Sequence, residues 1–267
     1  MSRHPQGGIE ISIEVGLILV ALFVAVAVGG LILVQHLVPS VQRSQHNDVA
    51  GFIYAVLGVA YAVMLGLMVV AVWQSWETAE SNATEEADEL AAIFWLAHGL
   101  PESEGRHVQE LARSYAHEVV YEEWQMMERG EESPRVWAIL DEMRGRILAL
   151  DPATESQRLL YDHELQRIHE LSDARQERLL QADSGLPAIL WAVLLIGGFI
   201  VVAFTYLFGL QSTLVHTLMV AALALTIALV LFTVGALDYP FKGDIRVWLD
   251  SSLSVLERFE RSTLSDL

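Results

Sequence analysis

Residues 46–73 read HNDVAGFIYAVLGVAYAVMLGLMVVAVW. From Ala50 to Trp73 the stretch holds 24 residues without a charge. About 20 apolar residues in a helix cross the hydrocarbon core of a bilayer, so this run is long enough to span. Three further uncharged runs, 15–34, 187–208 and 214–237, hold 20, 22 and 24 residues. Four such runs exclude a soluble globular enzyme and a disordered acidic chain. The strands of a membrane β-barrel would be short and alternating. At Ala25-Val26-Ala27 the first run resembles a peptidase site. The run continues to Val34, however, beyond the roughly 7–15 residues of a signal-peptide core, so a retained span is expected.

The 267 residues carry a net charge of −18 and no cysteine. Disulfides, iron–sulfur clusters and thiol nucleophiles are therefore excluded. Nucleic acid is excluded as a partner too, because its phosphates need clustered Lys and Arg, and Lys242 is the only lysine. Fifteen of the 16 basic residues fall on the side shared by the N-terminus, residues 74–186 and the tail; Arg43 stands alone on the other. Near the membrane, Arg3, Arg167, Arg175, Arg178, Lys242 and Arg246 still outnumber Arg43, which predicts cytoplasmic termini.

The expected divisions are 1–73 (spans one and two), 74–186 (a cytoplasmic helical domain), 187–237 (a hairpin of spans three and four) and 238–267 (a cytoplasmic tail). Segment 74–186 holds 25 acidic and 10 basic residues. Either this is a solvated surface or it is a negative vestibule that concentrates cations. Ala83, Ala87, Leu90, Phe94 and Ala97 recur at alternating spacings of four and three, a heptad seam. The seam packs either on its own chain or on copies of itself. Nothing breaks the helix below Trp73, so span two is expected to continue toward Pro101. Val108, Leu111, Tyr115 and Val119 mark a second cytoplasmic helix, ending near Gly130. Val136, Ile139, Leu140, Met143 and Ile147 mark a third. Leu160, Leu165, Ile168, Leu171 and Leu179 mark a fourth. In the tail, Leu253, Leu256 and Phe259 suggest an amphipathic helix, on the bundle or on the membrane surface.

No span interior carries Asp, Glu, Lys or Arg, which argues against a proton-coupled carrier. Glu10 and Glu14 lie at the edge of span one, and His216 near the start of span four. In span two, Asn47 or Asp48 can cap the helix, and Gly51 and Gly58 permit close helix approach. Tyr54, Leu57, Tyr61, Leu65 and Met68 form a bulky stripe. They are either helix-packing residues or the lining of a narrow apolar pore, which can gate by dewetting. Asp48 above and Glu77, Glu80 and Glu85 below place negative charge at both ends. Catalytic signals are weak: Asp162, His163, His169 and Asp173 lack the close spacing of a helical metal motif. No cofactor and no enzyme activity are expected.

Three stretches resemble the bacterial bestrophin-like membrane protein family: residues 46–73, residues 86–90 (EADEL) followed by Leu100-Pro101, and residues 236–243 (ALDYPFKG). The resemblance covers nearly the whole chain. It implies an all-α bestrophin-like layout of four spans, with a helical cytoplasmic bundle inserted between spans two and three. It also implies a homo-oligomer, a pentamer by analogy, in a bacterial inner membrane. Span two would line a central pore, with Tyr54, Leu57, Tyr61, Leu65 and Met68 as lining candidates and Asp48, Glu77 and Glu80 as mouth charges. The partners implied are lipid, further copies of the chain and permeant ions. Acidic charge points to cations ahead of chloride, although helix N-termini can hold anions. The chain departs from bestrophins proper, with no neck of closely spaced Ile and Phe and no alignable acidic calcium clasp. The competing expectation is a non-conducting scaffold or sensor whose bundle binds a partner.

Overall fold

The computed structural model describes residues 12–38, 43 and 47–265; Arg3 and Glu10, weighed above, lie outside them. Among the described residues no strand occurs. Helix α1 spans Ile13–Leu37, α2 Asn47–Leu96, α3 Glu102–Glu118 and α4 Trp124–Glu128. A π-helical turn, Val119–Glu123, joins α3 to α4. Helix α5 spans Pro134–Leu148, α6 Glu155–Ala182, α7 Ala188–Thr205, α8 Thr213–Leu237 and α9 Asp250–Ser265.

The boundaries follow local chemistry. Ser12 and Ser212 cap α1 and α8 through their side-chain oxygens. Thr154 and Gln157 close a reciprocal capping box on α6. Pro134 opens α5, where its missing N–H costs nothing. Gly130, at φ 71°, ends α4. There Glu131 N–H reaches Met126 O at 3.0 Å and Gly130 N–H reaches Met127 O at 3.0 Å, a left-handed cap that favours glycine.

Four helices are long and apolar enough to cross a membrane: α1, α2, α7 and α8. Their outward faces carry exposed Ile18, Val26, Phe199 and Leu218, as lipid-facing helices do. Helix α2 has 50 residues, about 75 Å at 1.5 Å per residue, and a bilayer core takes less than half of that. It therefore belongs to two cores. In the apolar half it packs on α7 and α8 through Tyr61, Leu65 and Val72. Beyond Trp76 it packs on α6, α3 and α9 through Ala79, Ala83, Leu90 and Phe94.

The heptad seam Ala83–Ala87–Leu90–Phe94–Ala97 is thus buried within its own chain. Its chief partner, α6, runs antiparallel. The buried stripe of α6 is Tyr161, Glu164, Ile168, Leu171, Arg175, Arg178 and Ala182. This corrects the sequence reading: Leu160, Leu165 and Leu179 sit only half-buried at its margin. Apolar periodicity misled because three of the inward positions carry charge. The amphipathic tail helix, α9, docks on the bundle, where Phe259 stacks on Phe94 at 4.1 Å.

The corrected stripe predicts different costs on one helix. Leu171→Ala opens a cavity and should cost about 2–5 kcal/mol. Leu180→Ala, at a half-exposed site, should stay within about 0.5 kcal/mol. Thermal unfolding of the purified variants checks both values.

Candidate functional site

Helix α2 presents two faces along its whole length. At 100° per residue, Tyr54, Tyr61, Leu65, Val72, Ala79 and Leu90 share the packed side. Val56, Val59, Val63, Leu67, Val70, Gln74, Glu77, Ser81, Glu85 and Asp88 share the other, and every one of these is exposed. This open face changes character once. It is apolar from Val56 to Val70 and polar to acidic from Gln74 onward. Stacked Trp73 and Trp76, 5.8 Å apart, mark the change, as aromatic rings do at membrane–water interfaces. Asp48 and Glu77 lie on the open face, with Glu80 on its shoulder; all three are exposed.

The bulky stripe lies on the packed face. Tyr61 is 6% exposed and Leu65 8%. Tyr61 O–H donates to Leu194 O at 2.9 Å. Its ring lies where a Cβ on Gly197 would come within 2.8 Å, so α7 needs glycine at this crossing. Tyr54 stacks on Phe204 at 6.0 Å, and Leu57 and Met68 are half-buried. Within one subunit, then, Tyr61 and Leu65 are helix-packing residues. Large side chains bury more area than valine does, so they take the inward positions. Gly51 and Gly58 do not mark a close approach within the subunit. A Cβ on Gly58 meets nothing within 4 Å.

The outer end of α2 is locked by polar contacts. Asn47 Nδ2 donates to Gly209 O and Gly209 N–H donates to Asn47 Oδ1, both at 3.0 Å. Arg43 Nη1 donates to Tyr206 O at 3.0 Å and Phe208 O at 3.2 Å, a cation on the carbonyls just beyond the end of α7. His216 is buried between Gln35, at 3.4 Å, and Thr205 O, at 3.0 Å. At the inner end Asp238 is buried and accepts from Leu186 N–H at 2.6 Å and Trp191 Nε1–H at 3.0 Å. It thereby ties the end of α8 to the start of α7. Just beyond it, Phe241 enters the core of the helical bundle, edge-on to Trp124.

Beneath the membrane half lies a buried ionic cluster that sequence reasoning missed. Arg178 donates to Glu86 at 2.5 and 3.0 Å and to Glu123 at 2.7 Å. Arg175 holds Glu123 through Nε, at 3.3 Å, and through Nη2. Tyr115 O–H donates to Glu86 at 2.7 Å, and Ser133 N–H to Glu123 at 3.0 Å. Burial pushes the Glu123 carboxyl up, but Arg178 and Arg175 outweigh it and hold it below the usual carboxylate range. Burial pulls Arg178 down; Glu86 and Glu123 outweigh that and raise it. Burial, then Glu86, pushes the Tyr115 hydroxyl well above its usual value. The available signal was Arg175 and Arg178 falling in step with Ile168, Leu171 and Ala182.

The weak metal candidate does not assemble. Asp162 and His163 are exposed, and His169 meets Asp173 at 3.6 Å on an open surface. Among the described residues no group of three metal-ligating side chains comes together.

Four apolar helices above a helical bundle, joined by one helix common to both, define an all-α membrane protein. The Bestrophin-like domain matches residues 21–251, and the chain belongs to that family. Solved structures agree on the fold. A variant of a bacterial bestrophin homologue from Klebsiella pneumoniae superposes with a TM-score of 0.66 at 13% identity, covering 91% of this chain and 98% of that one. A second variant of that homologue gives 0.64 at 16%, covering 91% and 98%. A structure described only as a membrane protein gives 0.65 at 14%, covering 90% and 96%. No curated protein matches in sequence.

Breaking the buried cluster should be costly in a particular order. Arg178→Met leaves Glu86 without its cation and weakens Glu123, at about 3–5 kcal/mol. Adding Glu86→Met should recover part of that loss, because the orphaned carboxylate goes with it. Because the folded Glu123 is held below its ordinary value, its contribution is present above that value and lost as pH falls through the depressed one. Thermal unfolding of the single and double variants gives the order.

Proposed function

We propose that the chain is a subunit of a homo-oligomeric ion channel in a bacterial inner membrane, with both termini cytoplasmic. One observation carries this reading: among the described residues the open face of α2 has no partner from Val56 to Asp88. A face that is apolar inside the bilayer and acidic below it suits a pore axis better than lipid. Lipid would cover the valines equally well, but it gives no reason for Glu77, Glu85 and Asp88 to continue the same line. Membership of the bestrophin-like family supports the reading, as does the shared fold.

On this reading the lining candidates are Val56, Val59, Val63 and Val70, opposite the buried stripe. Rings of valine form an apolar constriction that dewets. Asp48 stands at the outer mouth, with Glu77 and Glu80 at the inner one. Repeated around an axis, these carboxylates favour cations over chloride. Five subunits is the expected number, by family analogy.

The experiment is ion flux from liposomes holding the purified protein, under Na⁺, K⁺ and Cl⁻ gradients in turn. Cation flux is expected, and Val63→Trp should abolish it. Neutralising Glu77 and Glu80 together should move the reversal potential toward zero selectivity. Cysteine substitution is clean in this cysteine-free chain. Val59→Cys and Val63→Cys should react with water-soluble reagents, whereas Leu65→Cys should not. Absence of flux from a folded oligomer, with no labelling at Val63→Cys, would favour the scaffold reading.

A further inference from the structure

Glu164 lies near the start of the core stripe of α6 and is 0% exposed. Among the described residues neither of its carboxyl oxygens has a hydrogen-bond partner. The buried carboxylates Glu86 and Glu123, on neighbouring segments, have arginines; this one has none.

Its surroundings follow from the antiparallel register of α2 and α6. Asn82 meets Gln181, Glu86 meets Arg178, and Gly99 sits against Leu160. Glu164 therefore falls opposite the last turns of α2, where Ile93 and Ala97 are fully buried. The nearby charges have partners elsewhere, and His98, beside Gly99, is exposed and hydrogen-bonded to Gln109 at 3.0 Å. On α2, Glu86 is bound to Arg178 and Glu89 to Arg167. On α6 itself, Arg167 is shared between Glu89 and Glu170; Asp162 and His163 point to solvent and Tyr161 is buried. On α5, Arg144 is bound to Asp141, and Arg146 to Glu104 and Glu142, with His107 also on Glu142. On α4, Glu128 is bound to Arg246.

We propose that Glu164 is a proton-binding site that makes the packing of α6 on the end of α2 depend on pH. A neutral carboxyl is tolerated in this apolar layer. An ionised one is not, because among the described residues no cation or donor meets it. Burial alone pushes the carboxyl up to about 8, which brings the switch into the range of ordinary cell pH. Because α2 is one unbroken helix, the site packs against the same rod that enters the membrane. On the channel reading that rod lines the pore, but the proposal and its test do not use conduction.

The sign is unusual for a carboxylate. The folded state keeps a proton that the unfolded chain has already released. Stability therefore falls as pH rises from the ordinary carboxylate value through the folded one, and is flat above it. Full-length protein in detergent would be melted from about pH 5 to about pH 9, beside Glu164→Gln. The wild type should lose a few degrees more than the variant across that range. Amide exchange over residues 93–99, corrected for intrinsic pH dependence, should lose protection by about tenfold in the wild type only. Identical pH profiles for the two proteins would overturn the proposal. If Glu164→Gln does not fold, infrared spectra of the wild type decide. A protonated-carboxyl band present at neutral pH and lost at alkaline pH supports the site, and its absence at neutral pH sinks it.

Discussion

Two guanidinium groups and two carboxylates share one dry site between α2, the π-helical turn and α6. Each charge there is tolerable only because the others are within hydrogen-bonding distance. The site therefore holds three segments in a single register. Glu86 comes from α2, Glu123 from the π turn, and Arg175 and Arg178 from α6. The extra residue in the π turn re-aims the end of the α3–α4 rod, and Glu123 lies in that turn. Trp124 and Trp137 supply ring faces to Arg178 and Arg175. Without this arrangement α6 would have no reason to bury two cations along the same stripe as Ile168 and Leu171.

That register decides what α2 has left to offer. With its inward face committed to α7 and α8 above and to α6 below, the opposite side of α2 stays free. The free line is continuous because the helix is unbroken across the interface. Asp238 and Phe241 hold the end of α8 against both halves, the first through Leu186 and Trp191, the second through Trp124. Membrane helices and bundle are thus joined at three places: along α2, at the α6–α7 junction, and through the tail. A shift of packing at the bottom of α2, where Glu164 lies, acts on an element that also spans the membrane half.

Much was legible in the sequence. Uncharged runs of bilayer length revealed the four apolar helices, because lipid allows no charge on any face of them. Strict heptad spacing revealed the seam of α2, and Gly130 marked a helix end in the bundle. The sequence also placed Asp48, Glu77 and Glu80 at the two ends of the second span. It could not say which face of that span points inward. A helix apolar all round has almost no moment, so Tyr61 and Val63 are equivalent until α7 is set against one of them.

Charge was misread for a related reason. By itself a glutamate or arginine reads as solvent-facing, and Glu86, Glu123, Arg175 and Arg178 were counted with the acidic surface of 74–186. Only the tertiary structure brings them together from positions far apart in the chain, and only mutual contact makes their burial affordable. The same holds in reverse for Glu164, whose lack of any partner is a fact about its neighbours. Composition and periodicity determined the class, the four apolar helices and the helical bundle, since these rest on properties of contiguous residues. The facing of α2, the ionic cluster and the unpaired carboxyl rest on distance between residues remote in sequence, which only packing sets.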